Sequence, residues 1–150
     1  MIFKILIIED DEHKLKQIQA VAVKVRANAQ ITHARSYHSG LAALLNDQYD
    51  LSIVDMTMPT FDKAPGEDGG RLRPFAGRDI FEQLTRKKRC FKAIVVTGFE
   101  ILGEGENQKT LEALDAELKE RFPESYLGSI HYQPALTAWE EQLEEKVKNS

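Results

Sequence analysis

The chain has 150 residues, of which 42% are hydrophobic and 29% are charged, a balance that is typical of an ordinary soluble globular domain. A formal net charge of −4 argues against a general nucleic-acid binder, whose surface is usually basic. No apolar stretch approaches the ~20 residues that a membrane-spanning helix needs, and Met1 leads directly into a strand pattern. The length and composition therefore predict one domain over residues 1–150, without membrane association. The single cysteine, Cys90, cannot form an internal disulfide, so we expect the protein in a reducing cytoplasm.

The first third of the chain alternates strand and helix patterns. The apolar run Ile5–Ile8 predicts a strand, and the helical spacing of the apolar residues after it predicts a helix over about 12–28. A short second strand follows at Ile31–Ala34. Leu41 to Leu45 then mark a brief helix, and the third strand runs to Asp55.

The periodicity disappears between Pro59 and Gly77, where several turn-forming residues predict a long loop. A loop of this length is uncommon in a compact domain and tends to be functional or mobile. The helical pattern resumes at about 78–88. The fourth strand follows at Ala93–Val96, and a second glycine-rich loop is predicted over Gly98–Asn107.

The last part of the chain begins with an amphipathic helix from Leu111 to Phe122, which a proline ends. The fifth strand is predicted at Ser129–Tyr132, and a final helix ends near Lys148. One face of that helix carries Leu136, Trp139, Leu143 and Val147. Because right-handed crossovers leave few ways to wind five alternating βα units, we expect an α/β fold with a doubly wound parallel sheet of five strands in the order 2-1-3-4-5.

Three of the predicted strands end in oxygen-bearing side chains. Glu9 and Asp10 follow the first strand, Asp55 follows the third, and Thr97 follows the fourth. Because ligands bind at the carboxyl edge of open α/β sheets, we expect these side chains to meet there. Their oxygens suit a hard divalent cation and a phosphoryl group. Each acid alone could equally cap a helix or form a turn, and Asp11 is a good N-cap for the first helix.

The order of the elements and these motifs resemble the receiver domain of two-component response regulators, which has the CheY-like, flavodoxin-like fold. The resemblance covers nearly the whole chain. Its most specific parts are Ile7-Ile8-Glu9-Asp10-Asp11 and Asp55-Met56-Thr57-Met58-Pro59. Thr97-Gly98 adds weight, and the corner Tyr132-Gln133-Pro134 is a weaker match.

The resemblance implies that Asp55 accepts a phosphoryl group from a histidine kinase or another phosphodonor. It also implies Mg²⁺ as the cofactor, held by Glu9, Asp10, Asp55 and the backbone carbonyl of Thr57. The Thr97 hydroxyl would bond a phosphoryl oxygen. Because an aspartate is a weak nucleophile and the incoming group is negatively charged, a cation has to neutralise both.

The sequence departs from the family pattern at three places, of which one is a long fourth helix with a trailing segment that extends to Gly128. Receivers usually carry a lysine before the proline that follows the fifth strand, and here that position is Gln133, whose amide brings no charge. Lys63, in the long loop, is a candidate for the missing cation. That loop, which follows Pro59, is also longer than in ordinary receivers.

These residues leave three functions open. The first is a single-domain phosphoacceptor receiver that signals through protein contacts, either with a downstream effector or with a second copy of the chain. The second is a pseudo-receiver that binds partners without phosphotransfer, which Gln133 favours. The third is a haloacid-dehalogenase-type phosphatase, but the general acid that it needs two residues after Asp55 is replaced by Thr57. We therefore expect no enzyme beyond slow self-dephosphorylation. We expect a docking face on the fourth helix, fifth strand and fifth helix, or on the loop from Thr60 to Ala76.

Overall fold

Five parallel strands form the central sheet of the computed structural model, which describes residues 2–150. They are β1 (Lys4–Ile8), β2 (Gln30–Ala34), β3 (Leu51–Val54), β4 (Ala93–Thr97) and β5 (Tyr126–His131). Their order across the sheet is β2-β1-β3-β4-β5, and every pair is parallel. The predicted fold class and strand order are therefore confirmed.

Helices cover both faces of the sheet. They are α1 (Glu12–Val25), α2 (Tyr37–Asn46), α3 (Ala76–Arg86), α4 (Leu111–Arg121) and α5 (Ala138–Lys148). Helices α1 and α5 pack on one face, and α2, α3 and α4 pack on the other. No helix in the described part of the chain is long and apolar enough to cross a membrane.

The inner strands β1, β3 and β4 are mostly apolar because both faces of the sheet are covered there. Successive side chains of β1 point to opposite faces, so Ile5 and Ile7 pack under α1 and α5, whereas Leu6 and Ile8 pack under the other three helices. All four of these side chains are fully buried. This double burial explains why the continuous apolar runs predicted the strands well.

Some boundaries differ from the prediction. Helix α1 ends at Val25 instead of near residue 28. Strand β5 begins at Tyr126, three residues earlier than expected. The sequence pattern missed these residues because Gly128, at φ 126°, interrupts the apolar pattern inside the strand. Leu136 precedes α5 and is exposed, so the buried face of that helix begins at Trp139.

The predicted loop after Pro59 contains a short hairpin. Met58–Pro59 pairs with Leu72–Arg73 in antiparallel fashion, and the Phe61 amide donates to the carbonyl of Gly69 at 2.9 Å. We call residues 58–73 the hairpin segment. Two-residue ladders carry too little periodicity to be visible in a sequence, so the prediction of an unstructured loop was only partly right.

The hairpin segment is fastened to the start of α2. Asp62 accepts hydrogen bonds from the hydroxyls of Ser36, at 2.6 Å, and Ser39, at 2.7 Å, the two residues of the α2 capping box. The His38 amide also donates to the carbonyl of Thr60 at 2.9 Å. The second predicted loop contains a similar short pairing, between Ile101–Leu102 and Lys109–Thr110.

The first turn of α3 packs closely against the chain at the end of β3. A Cβ added at Gly77 would lie 2.9 Å from the backbone oxygen of Asp55 and 3.1 Å from Met56 Cε. Because backbone cannot move aside as a flexible side chain does, α3 would have to shift. We expect Gly77→Ala to lower the free energy of unfolding by about 1–3 kcal/mol, measured by urea titration.

Gly98→Ala is the matched control, because a Cβ added at Gly98 meets no atom within 4 Å. It should change the free energy of unfolding by no more than about 0.5 kcal/mol. Equal losses of stability in the two variants would show that the close approach of α3 to Asp55 is not what makes Gly77 necessary.

Candidate functional site

Three adjacent strands bring the predicted site residues to the carboxyl edge of the sheet. Glu9 directly follows β1, Asp55 directly follows β3, and Thr97 is the last residue of β4. The Asp55 amide donates to the carbonyl of Ile8 at 3.0 Å, which extends the sheet hydrogen bonding by one residue beyond β3. The position of Asp55 is therefore set by backbone pairing with β1.

The acids of this edge form one cluster. Glu9, Asp10 and Asp55 each place a carboxylate oxygen within 4.8 Å of the other two. Glu9 and Asp55 are buried, and Asp10 is half-buried. Two Mg²⁺–oxygen bonds of ~2.1 Å span at most ~4.2 Å, so small side-chain shifts would bring these oxygens close enough to share one ion. The structure thus brings together the acids that follow the first and third strands, and their roles stay predictions.

A buried lysine that the sequence did not predict lies inside this cluster. Lys14 Nζ, on the first turn of α1, is 2.6 Å from Glu9 Oε1 and 3.1 Å from Asp55 Oδ2. It also donates to the carbonyl oxygen of Val96 at 2.9 Å. The side chain is only 6% exposed. This ammonium group is therefore an integral part of the site.

Helical spacing contained the signal that could have revealed Lys14. Ile18, Val21 and Val25 lie four, seven and eleven residues after it, so Lys14 occupies the inward-facing stripe of α1. A lysine on such a stripe needs a buried partner. Asp11, three residues earlier, caps the same helix by accepting hydrogen bonds from the amides of His13 and Lys14, as predicted.

The residues of the cluster fit a divalent cation. Three carboxylates and one ammonium leave a net charge of −2 when all four groups are ionised. In addition, Glu9 Oε1 accepts no directed hydrogen bond from the residues that the structure describes, and its contact with Lys14 is an ion pair without hydrogen-bond geometry. A buried carboxylate oxygen in this state is suited to a metal ion.

The predicted threonines occupy different settings. Thr97 is fully buried, and its hydroxyl oxygen accepts a hydrogen bond from the Phe99 amide at 3.2 Å. Thr57 is half-buried and donates from its hydroxyl to the carbonyl of Pro74 at 2.8 Å, which ties the chain after Asp55 to the residue that follows the hairpin segment.

Gln133, at the position of the usual lysine, and Lys63, the candidate for the missing cation, both lie outside the cluster. Gln133 is exposed, and its side chain makes no hydrogen bond within residues 2–150. Lys63 Nζ reaches Asp10 Oδ2 at 3.8 Å, but its side chain is 55% exposed. Gln133 is neutral and Lys63 is mostly exposed, so the buried cation of the site is Lys14.

Burial controls the protonation of the acids. It raises the pKa of Glu9 from 4.5 to about 8, and the charge of Asp55 adds to this shift while Lys14 opposes it. Burial also raises the pKa of Asp55, against the opposing effect of Lys14. Burial disfavours the charged form of Lys14, but Asp55 and Glu9 outweigh it, and the pKa of Lys14 is raised. Lys14 is therefore positively charged at neutral pH.

The raised pKa of Glu9 predicts a pH dependence of stability in cation-free buffer. Above pH 4.5 the unfolded chain releases this proton while the folded chain retains it, so the contribution of Glu9 to stability is lost as the pH rises towards 8.

Glu9→Gln cannot ionise, so its stability should fall less than that of the wild type over this range. Urea unfolding with a chelator present measures the difference, and Glu124→Gln, at an exposed position, should follow the wild type. A Glu9→Gln profile parallel to the wild type would contradict the assignment.

No protein-family model matches the chain, but individual proteins are similar to it. An uncharacterized protein of Sinorhizobium fredii, y4jR, is 31% identical over 139 residues, which cover 91% of each chain. The Detocs response regulatory protein DtcB of Enterobacter cloacae is 27% identical over 146 residues, which cover 96% of this chain and 97% of that protein.

Solved structures of response regulators share the fold. A CheY-like receiver domain protein from Methanospirillum hungatei superposes with a TM-score of 0.57 at 20% identity, with all of both chains covered. The response regulator TrrA of Thermotoga maritima, solved in complex with Mg²⁺ and a beryllium fluoride, gives a TM-score of 0.54 at 18% identity, covering 99% of this chain and 98% of that one. The chain therefore has the fold of the CheY-like receiver domains of response regulators, and it is similar along nearly its whole length to a response regulatory protein.

Proposed function

We propose that the chain is a phosphoacceptor receiver that takes a phosphoryl group on Asp55. The observation that carries this proposal is the cluster of three carboxylates within 4.8 Å around the residue that ends β3. A divalent cation would be held by Glu9, Asp10, Asp55 and the backbone carbonyl of Thr57. When bound, it would neutralise the negative charges of the acceptor and of the incoming group.

The transfer step requires one bond to form and one to break. A carboxylate oxygen of Asp55 attacks the phosphorus of the donor and forms the acyl phosphate. The bond between that phosphorus and the leaving atom breaks, and the leaving group retains the electron pair. The Thr97 hydroxyl would donate to a phosphoryl oxygen, because its contact with the Phe99 amide uses a lone pair of the hydroxyl and not its hydrogen.

Turnover of an outside substrate is not part of the proposal. Two residues after Asp55, where an aspartyl phosphatase needs a general acid, stands Thr57, whose hydroxyl is bonded to the Pro74 carbonyl. The acyl phosphate would therefore be lost only by slow self-catalysed hydrolysis. The phosphoryl group would come from a histidine kinase or another phosphodonor.

Receivers generally act through contacts with kinases and effectors, and we propose the same for this chain, with an effector protein or a second copy of the chain as partner. The face between α4 and β5 supports this proposal. A shallow groove there is lined by Ile101, Leu111, Ser129 and His131. Ile101 and Phe99 are both 53% exposed and follow Thr97 closely in the chain, so movement of Thr97 would displace these side chains on this face.

A pseudo-receiver that binds partners without phosphotransfer is the alternative. The exposed Gln133 and the ammonium of Lys14 favour it, because Lys14 contacts two of the acids that a metal would use. In that case the ion pairs would be the permanent state of the site. A phosphoacceptor receiver would bind Mg²⁺ and be phosphorylated on Asp55, whereas a pseudo-receiver would not be phosphorylated.

Labelling with acetyl phosphate and Mg²⁺ tests the acceptor directly. We expect a mass increase of one phosphoryl group in the wild type and none in Asp55→Asn, because the amide is nearly isosteric but not nucleophilic. Asp68→Asn, in the exposed part of the hairpin segment, should be labelled like the wild type. Labelling of Asp55→Asn would place the acceptor elsewhere, and a wild type that binds Mg²⁺ without being labelled would favour the pseudo-receiver.

Thermal unfolding with and without Mg²⁺ tests the cation site. At a Mg²⁺ concentration about 100-fold above its Kd, we expect the Tm of the wild type to rise by about 5–10 °C. Asp10→Asn should lose most of this rise because it removes a carboxylate from the cluster. Asp11→Asn is the control, since asparagine also caps a helix and position 11 lies outside the cluster. Equal rises in Asp10→Asn and the wild type would contradict the site.

A further inference from the structure

The ammonium of Lys14 links the ends of three strands. It contacts the acid that follows β1, the acceptor that follows β3, and the carbonyl of Val96 in β4. We propose that Lys14, on α1, supplies the positive charge that pairs with the phosphoryl group on Asp55, in place of the lysine that position 133 lacks. This inference rests on the proposed function of Asp55.

The surroundings of Lys14 keep its charge beside the acceptor. The Tyr132 ring lies 5.5 Å from Nζ, and its hydroxyl donates to the side-chain carbonyl of Gln17 on the next turn of α1. On its other side, Tyr132 packs edge-to-face against the buried Trp139 of α5, with ring centroids 4.8 Å apart. Because only 6% of the Lys14 side chain is exposed, the ammonium stays within a few ångströms of the group that Asp55 carries.

The net charge of the site before and after phosphorylation favours a contact between Lys14 and the phosphoryl group. Three carboxylates, one ammonium and a divalent cation sum to zero. On phosphorylation, Asp55 exchanges its single negative charge for a phosphoryl group of about −2, which leaves one excess negative charge next to Nζ. Because a charge-assisted hydrogen bond is the strongest contact available there, the ammonium should move from the carboxylate oxygen to a phosphoryl oxygen.

Gln133 and Lys63 are weaker candidates for pairing with the phosphoryl group. The amide of Gln133 is neutral and exposed, so it could donate a hydrogen bond but no charge. Lys63 is charged, but its side chain is mostly in solvent and it faces Asp10 at the rim of the cluster. Solvent screening weakens a contact of that kind.

The test uses beryllofluoride as the phosphoryl probe and Lys14→Met as the variant, because methionine fills a similar volume without charge. We expect the Kd for beryllofluoride at saturating Mg²⁺ to rise about tenfold or more. The Kd for Mg²⁺ alone should stay the same or fall, since the variant loses a cation that repels the metal. A merely structural role of Lys14 would weaken both ligands together, and that result would overturn the inference.

Lys63→Met is the matched control and should leave the Kd for beryllofluoride within about twofold, as expected for an exposed and screened ion pair. A larger effect of Lys63→Met than of Lys14→Met would overturn the inference. So would unchanged beryllofluoride binding in Lys14→Met. If the wild type itself neither binds beryllofluoride nor accepts a phosphoryl group, the proposed function fails, whereas equal binding by wild type and Lys14→Met refutes only the role of Lys14.

A measurement on the wild type covers the case in which Lys14→Met does not fold. With lysine side chains labelled with nitrogen-15, the NMR signal of the Lys14 ammonium is compared in Mg²⁺ alone and in Mg²⁺ with beryllofluoride. A shift on adding beryllofluoride, with the Lys63 signal unmoved, supports the inference. A Lys14 signal that is the same in both conditions overturns it.

Discussion

The burial of like charges at the carboxyl edge of the sheet is the constraint on which the site depends. Glu9 and Asp55 are almost removed from water, and their oxygens lie within 4.8 Å of each other and of Asp10. Burial and mutual repulsion both disfavour two ionised carboxylates. The folded chain offsets part of this cost with the ammonium of Lys14. The charge that remains uncompensated when all three acids are ionised would favour the binding of a further cation.

One layer of the fold holds this charge in place. Lys14 extends from the first turn of α1, which Asp11 caps, and α1 packs beside α5 on the same face of the sheet. Tyr132 and Trp139 fill the space between the end of β5 and α5 next to the lysine. The apolar core on this side therefore also fixes the position of an ionic group, so a change in that group would be transmitted to α1 and β4 together.

Apolar patterning made most of the fold predictable, because strands buried on both faces and helices with one apolar stripe leave strong periodic signals. The strand order and the meeting of Glu9, Asp10 and Asp55 followed from strand ends and topology. The short pairings after Pro59 and Thr97 were missed because two residues carry no periodicity. Helical spacing marked Lys14 as inward-facing, but its role was missed because two of its three partners, Asp55 and Val96, become its neighbours only when β1, β3 and β4 assemble.

The glutamine at position 133 does not leave Asp55 without a neighbouring positive charge, because α1 supplies Lys14. A receiver that lacked a cation near its acceptor would be left with repulsion between the phosphoryl group and the surrounding acids. In this chain a positive charge already touches Asp55, but it comes from the opposite end of the sequence and is bonded to β4 one residue before Thr97. The site thus retains a positive charge, but the side chain that carries it belongs to the start of α1 and not to the corner after β5. A conformational response to phosphorylation in this chain would therefore begin in α1 and at the end of β4, and would reach the α4–β5 face through Thr97.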